Sequence, residues 1–375
     1  MAGNPFRYGS PVSAPHFAGR VAELDALVDR MENGINVVVT APRRFGKTSL
    51  LNEGAGRVLT AVGCVVRANL LRTPSLDALA SRLTSEAYHL PGGAWRRAAQ
   101  AVPEFLSRLR FRPTVAFDDS GHPVFTFSGG VTAPAASQLL EDVYQLLDEM
   151  AHRHPAVLML DEFQAITDLD GSLPRLLKAL ADQYPAVSLV MAGSKQHLME
   201  ALVLSNGAPL YHMAERIALG PIEEDVMVRF LRNRARAGHK PMTAAAARGI
   251  CELAGPIPYD IQRLAYEVYA GVGDSIDVDV VDSALERVVA HEDEAHAERF
   301  STLAVGQRRV LVVLAQRGGV ERPQSSELAR ATGYANPAGV AKAMAALVDD
   351  EIVIERGGTY EVADPFFRAW LRIGQ

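Results

Sequence analysis

Cysteine is nearly absent. The chain of 375 residues has two, Cys64 and Cys251, far apart in sequence. That excludes a disulfide framework and a cysteine-rich zinc site, and it fits a reducing cytoplasm. An excess of cations is absent too: 38 Lys and Arg stand against 44 Asp and Glu, a formal charge of −6. This balance argues against a protein that coats nucleic acid by charge alone, while a local basic face stays open. Long apolar runs are missing. The longest are short pieces such as residues 310–315, against the roughly 20 residues of a membrane span. The first thirty residues carry Pro5, Arg7, Pro11, Pro15, Arg20, Glu23 and Asp25 without an apolar stretch, so no signal peptide is expected. What the chain does hold is 48% hydrophobic residues, ample for a core. The length accommodates two or three domains at roughly 100–200 residues each.

Strand-like and helix-like patterns alternate over the first 220 residues. Residues 35–41 (INVVVTA) are a short β-branched run, the pattern of a strand buried on both faces of a parallel sheet. A helix is expected from about 47 to 62, and a second strand over 64–71. Another helix opens at Thr73-Pro74, where threonine can cap and proline fits the first turn. Residues 111–127, around Asp118-Asp119-Ser120-Gly121, read as an inserted β-hairpin. A helix over 137–152 leads to buried strands at 157–160 and 187–192, and to a shorter one at 216–219. This alternation predicts an α/β fold with a right-handed doubly wound parallel sheet. After Pro221 the pattern becomes helical to about residue 299, the expectation for a small lid. From residue 303 three helices precede a hairpin around Gly357-Gly358, a winged helix-turn-helix. The expected domains are a nucleotide-binding domain at 1–220 with a hairpin insertion at about 111–128, a lid at 221–300, and a winged helix at 301–375.

The stretch Ala41-Pro42-Arg43-Arg44-Phe45-Gly46-Lys47-Thr48 follows a strand and opens a helix. It has P-loop spacing, with alanine in the first glycine position. Backbone N–H groups at a helix N-terminus cradle phosphates, and the helix dipole favours negative charge there. Gly46 lets the backbone approach. Lys47 is expected to reach the β- and γ-phosphates of ATP, and Thr48 to place its hydroxyl on Mg²⁺. The second piece is VLMLDE, a strand ending in Asp161 and Glu162. Asp161 is placed to hold Mg²⁺ and Glu162 to polarise an attacking water. The strand over 187–192 leads to Ser194, positioned to sense the γ-phosphate or to cap the next helix. No Asn-Lys-x-Asp occurs, so guanine selectivity has no support. Phe127-Ser128-Gly129-Gly130 matches only half of a transporter signature. Asp161-Glu162-Phe163-Gln164 is superficially like a helicase box, but no second such domain follows.

With these residues in place, the chain resembles the archaeal-type ATPases of the STAND group, relatives of the AAA+ and origin-recognition ATPases. The likeness runs from Phe17-Ala18-Gly19-Arg20 and Glu23, through Pro42-Arg43-Arg44-Phe45-Gly46-Lys47-Thr48-Ser49-Leu50, Asp161-Glu162 and Ala192-Gly193-Ser194. It continues to residues 255–258 and Asp364-Pro365-Phe366-Phe367-Arg368-Ala369-Trp370. The resemblance implies that Gly19 and Arg20 lie near the adenine and ribose. It also implies an arginine where Met213 stands, with Arg216 the nearest substitute, and a sensing arginine where Pro258 stands, with Arg263 on the next helix as a partial replacement. Both departures imply slow hydrolysis, or hydrolysis that needs self-association or a protein partner.

Two signals carry less. His291 and His296 in HEDEAH are five residues apart, about 140° around a helix axis, so they do not share a face as metal-binding histidines do. The stretch reads as a charged, solvated linker. Residues 303–372 hold 9 Lys and Arg against 8 Asp and Glu, and the presumed recognition helix offers only Lys342 as a cation. A protein-facing or intramolecular role for the winged helix is therefore favoured over DNA binding.

Overall fold

The computed structural model describes residues 3–61, 63–88, 114–117, 123–126 and 133–374. They form two compact units. One is Pro11–Pro221; the other is Ile222–Gln375 joined by the segment ending at Ser10. The sequence reading groups that leading segment with the nucleotide-binding domain. It belongs to the C-terminal unit because its groups are bonded there. Asn4 Nδ2 donates to the Tyr266 carbonyl at 3.0 Å, Arg234 Nε donates to the Pro5 carbonyl at 3.2 Å, and Phe6 is buried edge-on to Tyr269.

The N-terminal unit is a five-stranded, all-parallel sheet between helices. Its elements run α1 (Val21–Glu32), β1 (Val37–Thr40), α2 (Lys47–Thr60), β2 (Cys64–Asn69) and α3 (Leu76–Tyr88). An antiparallel hairpin, β3 (Thr114–Phe117) and β4 (Pro123–Thr126), is followed by α4 (Ala133–Ala151). Then come β5 (Ala156–Asp161), α5 (Leu173–Gln183), β6 (Val187–Gly193) and β7 (Glu215–Ala218). The sheet order is β2-β5-β6-β1-β7. Strands β1, β5 and β6 are buried along their whole length, as their unbroken apolar runs require. β7 is the edge and is largely exposed, with Glu215 and Arg216 blunting it. The half-signature at 127–130 and most of the hairpin's flanks lie outside the described residues.

Strand order matters most here. β6 lies between β1 and β5, with Val39 opposite Ala192 and Asp161 also opposite Ala192. All strands run the same way, so the residues just past β1, β5 and β6 share the carboxyl edge of the sheet, where ligands of open α/β sheets bind.

The C-terminal unit begins with α6 (Glu224–Ala237), α7 (Ala244–Ala254), α8 (Pro258–Ala270) and α9 (Asp279–His291). It continues with α10 (Asp293–Thr302), α11 (Val305–Arg317), α12 (Ser326–Ala331) and α13 (Pro337–Asp349), then the hairpin β8 (Val353–Arg356) and β9 (Thr359–Val362), and α14 (Pro365–Ile373). The expected lid and winged helix form one unit, and the Asp364-to-Trp370 segment explains why. Asp364 caps α14 by accepting from the Phe366 and Phe367 N–H groups, an arrangement worth about 1 kcal/mol. Phe366 and Phe367 are fully buried, and Trp370 Nε1 donates to Asp293 Oδ1 at 2.7 Å. The expected solvated stretch at 291–296 holds for His291, Asp293, Glu294 and Ala295, which are exposed, and is corrected at His296, which is buried against Phe367 and Trp370. Among the described residues no cluster of metal-ligating side chains occurs, and no helix is long and apolar enough to cross a membrane.

Candidate functional site

The P-loop takes its shape from backbone rather than from side-chain size. Gly46, the N-cap of α2, has φ 87°, a left-handed conformation that glycine adopts without strain, and open space surrounds it. Ala41 has no positive φ, which accounts for its tolerance at the first glycine position. The turn is instead made at Arg44, with φ 68°. Pro42, Arg43 and Arg44 are exposed, whereas Ala41, Phe45 and Lys47 are buried.

Lys47 is 6% exposed, and its ammonium sits between two carboxylates. It is bonded to Asp161 Oδ1 and donates to Glu162 Oε1 at 3.0 Å. Thr48 Oγ1 donates to Asp161 Oδ2 at 3.1 Å, and Ser194 Oγ donates to Glu162 Oε2 at 3.0 Å. Five residues singled out in the sequence, on α2, at the end of β5 and just past β6, thus form one network. Two more belong to it that the sequence reading did not assign. Asn69, the last residue of β2, donates to Asp161 Oδ2 at 3.4 Å, and Gln164 Nε2 donates to Glu162 Oε2 at 2.7 Å. Their signal was present: Asn69 is the polar end of a buried strand, as Asp161 is, and Gln164 belongs to the helicase-like box.

Burial pushes the Glu162 carboxyl up, but the Lys47 charge beside it and the bonds from Gln164, Lys47 and Ser194 outweigh that effect. They hold it below the ordinary carboxylate range. Glu162 also has φ 54°, a left-handed backbone that costs a non-glycine residue about 1–3 kcal/mol. Such strain persists only where surrounding bonds hold it. Neither cysteine competes as a nucleophile, since burial pushes both thiols up to about 12.

Other candidate residues have different partners. Gly19 and Arg20 both take positive φ, 58° and 62°. The Arg20 guanidinium is buried and bonds Glu23, the Phe45 carbonyl of the P-loop and the Gly220 carbonyl. Arg20 thus braces the P-loop backbone. Ser49 Oγ accepts from the Val12 N–H at 3.0 Å, tying residues beyond Pro11 to α2. Arg216 is exposed on β7, and its Nε donates to Thr40 Oγ1 at 3.3 Å. Met213, in the position where the resemblance calls for arginine, packs against the apolar core. Pro258 opens α8 and is buried in the C-terminal unit. In the same unit, Arg263 pairs with Glu292 at 2.8 Å and lies over the Phe366 ring, 4.7 Å from its centroid.

Comparison with known proteins bears on the fold. Residues 294–373 match a family described as "Probable winged helix domain". The match starts in α10, a helix the sequence reading gives to the lid. No curated protein matches the chain. A Walker-type ATPase of Pyrococcus abyssi superposes with a TM-score of 0.64 at 16% identity, over 98% of this chain and 99% of that one. The ORC2 protein of Aeropyrum pernix, solved as ADPNP–ADP complexes, superposes with a TM-score of 0.55 at 15% identity, over 98% and 97%.

Proposed function

The chain having the P-loop fold of AAA+-type ATPases with a C-terminal winged helix, we propose that it is an ATP-dependent molecular switch of the archaeal-type STAND group. It binds ATP, hydrolyses it slowly, and couples its nucleotide state to the C-terminal unit. The observation that carries this reading is the convergence of Lys47, Thr48, Asp161, Glu162 and Ser194 at the carboxyl edge of a parallel sheet.

Lys47 exchanges its two carboxylates for the β- and γ-phosphates, with the P-loop N–H groups holding the remaining phosphate oxygens. Thr48 and Asp161 present hard oxygen donors to one another, the donor set that suits Mg²⁺, which supplies charge neutralisation on the phosphates. Once Lys47 has moved, Glu162 accepts a proton from water aligned with the γ-phosphorus, and Ser194 senses the transferring group. Positioning and charge supply most of the rate in such a reaction. Coupling runs along the chain, which passes between the units twice, at Ser10–Pro11 and at Pro221–Ile222.

The cation that offsets charge developing on the γ-phosphate is the weak point of the site. Met213 is apolar and packs against the core, and Arg263 is held by Glu292 and Phe366, which leaves Arg216 as the internal candidate. An arginine supplied in trans is worth about 10³–10⁵ in rate in related P-loop enzymes. The dilute protein is therefore expected to turn over below ~1 s⁻¹, the low end of ordinary enzymes. Phosphate release measured against protein concentration tests this. A rise in specific activity identifies self-association as the source of the arginine, and a low, flat value points to a protein partner. A fast, concentration-independent rate that falls in Arg216→Ala shows that Arg216 already completes the site.

The winged-helix match favours one other reading, a nucleotide-bound regulator that contacts DNA. Against it, α13 turns Val340, Ala343, Met344 and Leu347 into the core and carries Lys342 as its one cation. DNA affinity measured against salt separates the two. An affinity falling with a log–log slope of about −0.9 per phosphate contacted supports the regulator.

A further inference from the structure

Gln164 is a buried polar residue that the mechanism above does not use. It sits in the short 3₁₀ turn Phe163–Ala165 directly after β5 and is 5% exposed. Its Nε2 donates to Glu162 Oε2 at 2.7 Å, shorter than the 3.0 Å bonds that carboxylate accepts from Lys47 and Ser194. Its Oε1 is buried, with no hydrogen-bond partner among the described residues. The orientation of the amide follows from chemistry: turned over, its carbonyl oxygen would face the carboxylate, acceptor against acceptor.

The slot that holds this amide is built by β6. Gly193 has no side chain, and a Cβ placed there would stand 2.6 Å from Gln164 Oε1 and 2.3 Å from Met199 Sδ. The next residue, Ser194, donates to the same Oε2 at 3.0 Å. Gly193 and Ser194 therefore act as a pair: one leaves room for Gln164, the other completes its grip. The two donors occupy Oε2. Among the described residues, the remaining oxygen, Oε1, is held by Lys47.

We propose that Gln164 is a positioning residue that, with Ser194, pins Oε2 of Glu162, so that Oε1 is the oxygen that meets the attacking water when Lys47 turns to the phosphates. This rests on the reading of Glu162 as the residue that activates water. The function needs such a clamp because Glu162 sits on a strained left-handed backbone. With Lys47 gone and Gln164 missing, a single hydroxyl would be left to orient it. A misplacement of about 1 Å in a reacting group costs about 100-fold in rate.

The test is a double-mutant cycle on the full chain, with ATP affinity by calorimetry and γ-phosphate release in single turnover. Gln164→Leu keeps the volume and removes the donor. It is expected to lower the single-turnover rate about 10- to 100-fold while ATP affinity stays within about threefold of wild type. In a Glu162→Gln background the same change is expected to do almost nothing further, because Gln164 acts only through the carboxylate. Gln164→Met, a more adaptable side chain, gives the same pattern if packing around leucine disturbs the fold. An unchanged rate in both single variants overturns the proposal. So does an equal loss in the wild-type and Glu162→Gln backgrounds, which would mark Gln164 as merely structural. If Glu162→Gln itself hydrolyses ATP at the wild-type rate, the failure lies with the assignment of Glu162.

Discussion

Lys47→Ala is expected to abolish measurable ATP binding and, unlike the usual surface substitution, to weaken the fold as well. The binding loss follows from removing a charge-assisted bond to the phosphates, about 100-fold or more. The stability loss follows from the environment of Lys47. The ammonium is 6% exposed and stands between side chains that are 10% and 16% exposed, Asp161 and Glu162. Removing one partner of a buried pair costs about 3–5 kcal/mol when the partner left behind is sealed off. Here both carboxylates keep some contact with water, so about 1–3 kcal/mol is expected at pH 7. The pH dependence follows in sign. In wild type the Glu162 carboxyl lies below its ordinary value, so its contribution is present above the unfolded-state value and fades as pH falls through the folded one. Protonation of Glu162 at low pH relieves the uncompensated charge in the variant. The gap between wild type and Lys47→Ala should therefore be full near pH 7 and narrow as pH falls through the carboxylate range. Urea unfolding at several pH values and calorimetric titration with ATP measure both effects. Tight ATP binding by the variant would overturn the P-loop assignment. A gap that stays constant with pH would overturn the buried ion triad.

Glu162→Gln is expected to retain ATP and to lose turnover. The amide keeps the shape of the side chain, but the anion that takes the proton from water is gone, a loss of about 10²–10⁴ in rate. The structure adds an expectation about affinity. Lys47 is bonded to Glu162, and the ammonium gives up that bond when it turns to phosphate. A neutral residue weakens the competing pair, so ATP should bind as tightly as to wild type or slightly more tightly. Calorimetry and single-turnover phosphate release read the two parts separately. Weaker binding would mean that Glu162 holds the nucleotide; unchanged turnover would mean that the water is oriented elsewhere. The ATP-trapped variant is also the form in which a protein partner is best captured.

Some of this site was legible because its determinants are local. A β-branched run, a glycine that takes a left-handed turn and the Lys-Thr that opens a helix lie within a dozen residues of each other, and local backbone chemistry joins them. The same holds for the carboxylates ending β5 and for the polar residue after β6. Gln164 was legible only as part of a box shared with helicases. Its partner Glu162 is two residues away, but the slot that keeps it buried comes from Gly193 on another strand. Met213 and Arg263 show the reverse case. Both were read against a resemblance, and packing gave them other employment: Met213 lies against the core of the N-terminal unit, and Arg263 pairs with Glu292 and lies over the Phe366 ring. His296 read as solvated because its neighbours in sequence are charged, whereas its neighbours in space are Phe367 and Trp370.

The sequence by itself determined the α/β class, the P-loop, the acid-ended strand, the change to helices after Pro221 and the wing. Each rests on periodicity, capping or turn chemistry within a short window, where the chain has few alternatives. Only the tertiary structure decided the sheet order that inserts β6 between β1 and β5, the meeting of Lys47 with both carboxylates, the Gln164 slot, and the joining of the winged helix to the helices before it. Those depend on which distant faces bury each other. A buried strand that is apolar throughout carries no local mark of its neighbour, so its place in the sheet is set by the packing of the whole unit.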